Sequence, residues 1–402
     1  MNSLVQNITA FLKFMIGGGA SPAFGRLSPM ALILTAAALI LLTPFRSLPC
    51  SLFAFSADGR TVCGKNLDWH RPLPGLAVIN VRGVEKRILP WKGSWPLPDN
   101  SPAVSWVSRY GSVTFTCYGR DFIAGGMNEA GLVVEEASAA GITSYPPDDG
   151  RPGVSCAQWI QYQLDSFAAV DEVLDHLDDL RPDGEGWHYL IAGRDGGCAI
   201  IEYLEGRPVV HRGDEAPICA LTNTTYRQAL SHIPMDIAFG GTLDIAAGDD
   251  SYGRFVRMAA LMRDAQPVTG DRAAEQAFRI LDQVRCLDTR RSVVYQAGSN
   301  RVLWRTMNNP DIRWLDLAAL DVSDSAAVRI LDIDAGGPGD VSALLEEFTF
   351  EANRAVVAAV KGFDGDEPAH TNELESRGLS LAEILDVIAG HPTAGDSPSE
   401  CP

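Results

Sequence analysis

The sequence predicts a layered α+β fold built from antiparallel sheets. Blocks of strand-like segments alternate with blocks of helical segments, and strict β-α-β units are not seen, a pattern typical of separate sheet and helix layers. The dipeptide Asp58-Gly59 lies between two apolar-rich runs, which indicates an antiparallel hairpin near the start of the folded part. The composition is that of a globular protein, with 46% hydrophobic and 21% charged residues. A chain of 402 residues can form a single domain of this kind.

Strand signals dominate the first part of the folded region. β-Branched and aromatic residues predict strands at residues 50–55, 61–66, 76–82 and 104–118. Within 125–135, a turn at 128–131 is expected to lead into a further strand. Apolar residues three to four positions apart then predict helices at 157–164 and 169–177.

The second part repeats this alternation. Strands are expected at residues 187–192, 198–204, 208–211 and 217–222, and helices at 253–262 and 273–284. A late hairpin is expected from 292–297 and 301–307, followed by a long helix over 342–360. From about residue 364 the chain becomes polar, with one short helix expected at 381–388.

The first 49 residues read as a leader. Residues 30–42 form an apolar run that is short for a membrane span and suits the core of a signal peptide, with Lys13 and Arg26 upstream. We expect a removed leader (1–49), a catalytic domain (50–363) and a partly disordered tail (364–402). Pro49 departs from the usual cleavage pattern, so a retained membrane anchor, with Cys50 as an ordinary core thiol, stays open as the alternative.

Charge and metal-ligand residues exclude several classes of function. The net charge of -18 would repel phosphate backbones and disfavours docking on anionic membranes. The seven histidines form no tight ligand cluster, so no metal site is expected. The eight cysteines include no C-x-x-C pair. Disulfides are expected only if the protein is exported, and their pairing cannot be read from the spacing.

Cys50 could act as a nucleophile if it is the first residue of the mature chain. A thiol with an ordinary pKa of ~8.5 is only a few per cent thiolate at neutral pH, so it needs a base. No histidine forms a convincing local motif with Cys50. A free α-amino group has a pKa of about 7.7–8.0 and lies within reach of the sulfur of its own residue. Proteolysis just before Cys50 would therefore create the nucleophile and its base together.

Other polar residues lie in suitable segments. Asp68 could hold the α-amine by a hydrogen bond, and the Asn223 carboxamide is a suitable donor to a developing oxyanion. Arg254, at the start of a predicted helix, is a cation that would favour the thiolate. Strand alternation places Lys65 and Asn66 on opposite faces. Each residue also has an ordinary structural alternative: a turn for Asp68, a strand end for Asn223 and a surface ion pair for Arg254.

These segments together resemble the choloylglycine hydrolase family of N-terminal nucleophile hydrolases, also called linear amide C–N hydrolases, which include bile salt hydrolases and penicillin V acylases. The resemblance begins at Cys50 and covers the chain to about residue 257. The motifs that carry it are G-K-N-L-D-W at 64–69, S-R-Y-G-S-V-T-F at 108–115, G-G-M-N-E-A-G-L at 125–132, Q-W-I-Q-Y-Q-L-D at 158–165, L-T-N at 221–223 and R-F-V-R at 254–257. The resemblance implies a four-layer αββα sandwich.

The resemblance also implies a role for each matching residue. Cys50 matches the nucleophile and Asp68 the aspartate beside its amine, while Asn223 matches the oxyanion asparagine and Arg254 the site arginine. Two positions depart from the bile-salt type. Lys65, which is also a candidate catalytic residue, stands where those members have arginine. It keeps the positive charge but lacks the planar two-pronged donor geometry. Ser138 falls near the family's second site asparagine and is the candidate substrate-binding residue.

The activity that the resemblance implies is hydrolysis of a non-peptide, linear amide C–N bond in a small-molecule N-acyl amide, with Cys50 as the N-terminal nucleophile and no metal or organic cofactor. Glu135 and Glu136 lie close to the Ser138 position, so the pocket's specificity cannot be transferred from bile salts or penicillins. The alternatives are an acyltransferase or lactone acylase that uses the same site, and an inactive membrane-anchored binding protein. The expected location is periplasmic or extracellular, with membrane contact only through the leader and no nucleic-acid partner. Self-association into a homo-oligomer is left open.

Overall fold

The computed structural model describes residues 50–88, 91–92, 95–96, 104–117, 119–265, 268 and 270–359. All of these belong to one compact unit of the chain, Ser47–Pro402. The expected leader, the polar tail and the short helix at 381–388 lie outside the described residues, so the domain boundaries stay predictions. Among the helices that are described, none combines the length and the apolar character needed to cross a bilayer.

Strands greatly outnumber helices in the described part of the chain. The strands are β1 (Ser51–Ala57), β2 (Arg60–Asp68), β3 (Leu76–Asn80), β4 (Glu85–Ile88), β5 (Trp91–Lys92), β6 (Trp95–Pro96), β7 (Val104–Val107), β8 (Ser112–Thr116), β9 (Ile123–Asn128), β10 (Val133–Ser138), β11 (Gly153–Ser155), β12 (Arg181–Asp183), β13 (Trp187–Ala192), β14 (Cys198–Leu204), β15 (Arg207–Arg212), β16 (Ala220–Leu221), β17 (Thr289–Gln296), β18 (Arg301–Thr306), β19 (Arg313–Asp316), β20 (Arg329–Asp332), β21 (Gly339–Asp340) and β22 (Glu346–Glu347). The α-helices are α1 (Cys156–Ser166), α2 (Val170–Asp175), α3 (Tyr226–Ser231), α4 (Ser251–Arg263), α5 (Asp271–Gln283) and α6 (Phe350–Ala359).

Two mainly antiparallel sheets face each other between layers of helices. In the described part of the chain, seven strands form one sheet in the order β16-β1-β2-β17-β18-β19-β21, and nine form the other in the order β15-β14-β13-β10-β9-β8-β3-β20-β22. Helices α4 and α5 pack on the outer face of the first sheet, and α1 packs on the outer face of the second. The inner faces meet where β1 and β2 contact β10 and β13. This is the αββα arrangement that the resemblance implies.

The hairpin of β1 and β2 forms where the sequence predicts it. Asp58 and Gly59 both adopt left-handed backbone angles, with φ of 53° and 71°, as a two-residue hairpin turn requires. The register pairs Leu52 with Lys65, so Lys65 faces the second sheet. Asn66 points the other way and donates to the Leu281 carbonyl of α5 at 2.8 Å. The predicted opposite orientation of Lys65 and Asn66 is confirmed.

Most other predicted elements are confirmed within a few residues. These are the strands at β3, β7, β8, β10, β13, β14 and β15, the helices α1, α2, α4 and α5, and the hairpin of β17 and β18. The strand expected at 217–222 is reduced to the two residues of β16. A disulfide joins Cys198 at the start of β14 to Cys219 just before β16. It therefore links the two sheets, a pairing that the spacing did not reveal.

One strand was not predicted, and one helix needs correction. The turn expected at 128–131 is confirmed, since the Gly131 N–H donates to the Asn128 carbonyl oxygen at 2.9 Å. Residues 123–128, just before that turn, form β9, a strand that the sequence did not predict. Gly125 is required there because a side chain at this position would collide with the Glu135 carboxylate on β10. The long helix predicted over 342–360 is wrong in its first half: residues 342–344 form a 3-10 turn and β22 pairs with β20. The helix begins only at α6, where the Thr349 hydroxyl accepts the Ala352 N–H at 3.1 Å.

Candidate active site

Cys50 lies immediately before β1 and is buried at 4% exposure. Side chains alternate along a strand, so Cys50 shares a face with Leu52 and is a diagonal neighbour of Lys65 across the hairpin. Its thiol therefore faces the second sheet, in the space between the two sheets. Because Cys50 and Lys65 are both almost fully buried, the electrostatic fields of nearby charges are weakly screened there.

Arg254 connects the segments of the site. It lies in the first turn of α4 and is 2% exposed. Its Nη1 donates to the Cys50 carbonyl oxygen at 2.6 Å and to the Ser51 hydroxyl at 2.7 Å. Its Nη2 donates to Asn223 Oδ1 at 2.9 Å. The Arg254 guanidinium thus holds both the Cys50 backbone and the Asn223 carboxamide, which is the oxyanion donor proposed from the sequence.

Arg254 is buried, so the alternative interpretation of this residue as part of a surface ion pair is wrong. Asp250 caps α4 by accepting the Gly253 N–H at 2.8 Å. Asp249 contacts Arg254 only through its backbone oxygen, at 3.3 Å from Nε. The Asp249 carboxylate pairs instead with Arg257. Burial lowers the pKa of Arg254, and the nearby Asp68 carboxylate opposes this effect.

Asn223 follows β16 and is held on both sides of its carboxamide. Its Nδ2 donates to the Ser138 carbonyl oxygen at 2.9 Å, while its Oδ1 accepts from Arg254. Its backbone N–H donates to the Ser251 hydroxyl at 3.0 Å. An amide NH₂ has two N–H groups, so one remains for another acceptor. Ser138, predicted as a substrate-binding residue, acts here through its backbone by orienting Asn223.

Asp68 ends β2 and is 1% exposed. Among the described residues, neither carboxylate oxygen accepts a hydrogen bond of good geometry. Burial raises the pKa of Asp68 to about 6, against the lowering effects of the Thr289 hydroxyl, the Arg254 guanidinium and the Cys286 thiol that lie alongside. A buried carboxylate of this kind is costly unless a donor group satisfies it.

Lys65 is enclosed by acceptors of the second sheet. Its Nζ lies 2.8 Å from Glu135, 2.9 Å from Glu136 and 2.8 Å from the Ala124 carbonyl oxygen. Burial alone would lower the pKa of Lys65, but the two carboxylates raise it above its ordinary value. The Lys65 ammonium therefore lies between the sheets, hydrogen-bonded to Glu136 and to the Ala124 carbonyl oxygen and ion-paired with Glu135. Tyr295 on β17 donates its hydroxyl to Glu135 and extends the network.

The thiol itself is strongly affected by these surroundings. Burial raises the pKa of Cys50 to about 12, and the Glu136 and Asp68 carboxylates add to this rise. Lys65 and a backbone N–H of Asp68 oppose it. The pKa is far above neutral, so in the uncut chain this thiol needs a base or a nearby cation before it can attack.

An apolar cluster adjoins the polar network. Leu67, Leu73 and Ala124 are buried together, with Trp69 and Cys117 packed against them. Ala124 also supplies the carbonyl oxygen that Lys65 contacts. The cluster therefore borders the site and gives it an apolar wall.

Several residues of the site were missed by the sequence reasoning. Tyr295, Ser51, Thr289 and Cys286 lie in or beside the network, but single hydroxyl and thiol residues in strands carry no distinctive motif. Of this network, the sequence analysis noted only the acidic pair Glu135 and Glu136 next to Ser138. The contact of this pair with Lys65 depends on how the two sheets stack. Within the described ranges, no group of three or more His, Cys, Asp or Glu residues is arranged to hold a metal ion.

The fold and this site define a class. The fold is that of the N-terminal nucleophile hydrolases, with a cysteine immediately before the first strand. The solved structure of penicillin V acylase from Agrobacterium tumefaciens superimposes with a TM-score of 0.65 and 25% identity, over 75% of this chain and 98% of that one. A mutant of conjugated bile acid hydrolase from Clostridium perfringens, at 15% identity, shares the fold with a TM-score of 0.59 over 73% and 99% of the two chains.

Sequence comparison agrees with the structural likeness. The model of the acyl-coenzyme A:6-aminopenicillanic acid acyl-transferase family matches residues 107–292. Penicillin V acylase from Pectobacterium atrosepticum is 27% identical over 263 residues, which cover 54% of this chain and 69% of the relative. The chain thus resembles the penicillin V acylase and choloylglycine hydrolase family in sequence and in fold, and the prediction made from its motifs is confirmed.

Proposed function

We propose that this chain is a cysteine amidase that hydrolyses non-peptide, linear amide C–N bonds, with Cys50 as the first residue of its mature form. The observation that carries the proposal is the Asp68 carboxylate, which is buried beside Cys50. The neutral Thr289 hydroxyl and Cys286 thiol lie alongside it, neither in good hydrogen-bond geometry among the described residues. An α-ammonium on Cys50 would supply a charged donor to this carboxylate. Likeness to penicillin V acylases supports the reaction class.

The side chains then divide the reaction between them. The Cys50 sulfur attacks the amide carbon, and its proton passes to the α-amine of the same residue. The remaining N–H of Asn223, together with a backbone N–H, would stabilise the oxyanion. The α-ammonium gives its proton to the departing amine, which breaks the C–N bond and leaves a thioester on Cys50. Water then attacks the thioester, releases the acid and restores the thiol.

Arg254 acts as a positioning residue in this scheme. It holds the carbonyl of Cys50 and the carboxamide oxygen of Asn223, so the N–H of Asn223 is directed away from the guanidinium. Its positive charge, close to Cys50, also favours the thiolate. Ser138 fixes the other side of the same carboxamide.

The test combines intact-mass measurement with two cysteine variants. The active protein should have Cys50 as its first residue, and Cys50→Ala should remove both hydrolysis and the covalent acyl adduct. Cys50→Ser should retain weak activity. Cys63→Ala is the matched control, because Cys63 is another buried free thiol but lies outside the proposed machinery. Full activity of Cys50→Ala, or an active chain that begins before residue 50, would falsify the proposal. The substrates are a panel of N-acyl glycinamides, N-acyl amino acids and N-acyl lactones.

A second candidate reaction uses the same thioester. The family model that matches residues 107–292 takes its description from an acyltransferase, which favours transfer of the acyl group to an added amine. Release of free acid measured against amide formation, with and without that amine, separates hydrolysis from transfer.

We also propose that the leader directs export and that the mature protein is periplasmic or extracellular. The disulfide between Cys198 and Cys219 supports this location, since such bonds persist mainly in oxidising compartments. Cell fractionation with thiol counting checks it: a reduced protein in the cytoplasm would contradict the proposal.

A further inference from the structure

Glu202 is a buried carboxylate that connects the second sheet to the segment carrying Asn223. It lies on β14 and is 1% exposed. It shares a face of this strand with Ile200, which packs in the same hydrophobic core as Leu52 of β1. The proposed reaction does not use this carboxylate, although burying a charged group is costly unless it is paired and hydrogen-bonded.

Both oxygens of the Glu202 carboxylate have partners. Oε1 accepts the backbone N–H of Tyr226, the first residue of α3, at 3.0 Å. Oε2 lies 2.9 Å from Nε2 of His211 on β15, and Nδ1 of His188 on β13 lies 3.5 Å from Oε1. Burial raises the pKa of Glu202, but the His188 and His211 rings and the Tyr226 N–H lower it to about 2. The carboxylate is therefore ionised at neutral pH, which strengthens the bond that it accepts from Tyr226.

Tyr226 holds both ends of the segment that contains Asn223. Its hydroxyl donates to the carbonyl oxygen of Ile218, before β16, at 2.8 Å, while its backbone N–H bonds to Glu202. Its ring is buried and packs against the His211 ring, with 5.0 Å between the centroids. The chain from Ile218 to Tyr226 is thus a closed loop, and the Glu202 carboxylate fixes one end of it to the second sheet.

The carboxamide of Asn223 depends on the backbone that carries it. The disulfide at Cys219 ties the chain to the second sheet before Asn223, and Glu202 ties it after Asn223. Ser138 and Arg254 hold the two sides of the carboxamide, and they direct its remaining N–H only while this backbone keeps its place. A displacement of ~1 Å in a catalytic site can cost about 10²-fold in rate.

We infer that Glu202 is a positioning residue of this site: it holds the backbone of the Asn223 segment, so that the remaining N–H of Asn223 points at the developing oxyanion. This role rests on the proposed amidase function. Glu202 acts through the Tyr226 N–H rather than on the substrate. Because the oxyanion is absent from the bound substrate, weakening its donor should lower kcat and leave KM nearly unchanged.

Two variants of Glu202 separate the reach of the side chain from its charge. Glu202→Asp keeps the charge but is shorter by one methylene group, and we expect kcat for the preferred substrate of the panel to fall at least about tenfold. KM should stay within about threefold of the parent value. Glu202→Gln keeps the length, and its carboxamide oxygen can still accept from Tyr226, so kcat should stay within about threefold of the parent. Glu202→Ala removes the acceptor without leaving a buried charge, and it replaces Glu202→Asp if that variant does not fold.

Ile201→Ala is the matched control for a purely structural effect. Ile201 is the neighbour of Glu202 on β14, but it packs on the other face of the strand, against residues of α1. Its cavity should lower the unfolding midpoint in urea and leave kcat unchanged. The rate at which iodoacetamide alkylates Cys50, followed on its peptide by mass spectrometry, is the second control. This reaction forms no oxyanion, so Glu202→Asp should not slow it.

A double variant tests whether Glu202 acts through Asn223. In an Asn223→Ala background, Glu202→Asp should lower kcat by less than about twofold further, because the group that it positions is absent. Losses that multiply would show that Glu202 acts on another part of the site, and would overturn the inference.

The remaining outcomes separate this inference from the amidase function. Parental kcat in folded Glu202→Asp, an equal loss in Glu202→Gln or in Ile201→Ala, or slower alkylation of Cys50 would each overturn the positioning role and leave the amidase function standing. A mature, unaltered protein that hydrolyses no member of the panel would reject the amidase function, and the role of Glu202 with it.

Discussion

Replacing Asp68 with asparagine should change stability in opposite directions before and after removal of the leader. In the uncut chain, burial raises the pKa of Asp68 from its ordinary value of 3.8 to about 6. The folded protein therefore keeps the proton that the unfolded chain releases near pH 3.8. The free energy of unfolding falls as the pH rises between these two values, and the loss is complete above about pH 6. The shift corresponds to at most about 3 kcal/mol at neutral pH.

Asp68→Asn removes this buried charge. We expect the uncut variant to be more stable than the uncut parent by about 1–3 kcal/mol at pH 7, and nearly equal to it at pH 4. In the mature form the α-ammonium of Cys50 would be the partner of Asp68. The same substitution should then cost about 1–3 kcal/mol, because it breaks a buried charged pair, and it should also abolish activity.

Urea unfolding at pH 4 and pH 7 measures both effects. The uncut pair is made in a Cys50→Ala background, and intact mass verifies that the leader is present. The mature pair is verified by mass to begin at Cys50. If Asp68→Asn destabilises the uncut chain at pH 7, Asp68 already has a partner there, and the reasoning about the α-amine is refuted.

Three further predictions concern the supports of the site. Gly125→Ala should lower stability by about 1–3 kcal/mol in urea unfolding, because the new methyl group displaces the Glu135 carboxylate; an unchanged midpoint would show that the strand adapts. Asn223→Ala should reduce kcat by roughly 10²–10³ if its N–H stabilises the oxyanion, and a loss smaller than about threefold would argue against that role. Replacing both Cys198 and Cys219 with serine should cost about 3 kcal/mol, as expected for a closed loop with a sequence separation of 21, whereas equal stability with and without reductant would contradict this.

Local sequence patterns were sufficient to predict much of the fold. Alternation and turn chemistry located β1 and β2 because a strand pair joined by Asp58-Gly59 depends on residues close in sequence. Helices α4 and α5 followed from their apolar spacing. The same reasoning did not predict β9. Glycine is needed at position 125 of this strand because a side chain there would collide with the Glu135 carboxylate. No local property of the glycine reveals this requirement, since it comes from a side chain on the next strand.

In the active site, too, local motifs predicted some residues, whereas contacts between distant strands could not be predicted. The motifs identified Cys50, Asp68, Asn223 and Arg254, and the structure brings these four residues together. The role expected of Lys65 depends on which groups surround its ammonium. Those groups come from strands that are distant in sequence and meet only when the two sheets stack, so spacing along the chain could not predict them.

This dependence on sheet stacking bears on how the leader is removed. Arg254 and Asn223 are far from Cys50 in sequence, and they reach it only in the folded sandwich. If cleavage before Cys50 is catalysed by the protein itself, the uncut chain should be cut only after it folds, and Arg254→Met should slow cleavage. Refolding of purified uncut chain from urea, followed by intact mass and near-ultraviolet circular dichroism, checks the order. Cleavage that lags behind the return of the native signal would support self-processing. If refolded chain stays uncut until a membrane fraction is added, a signal peptidase removes the leader instead.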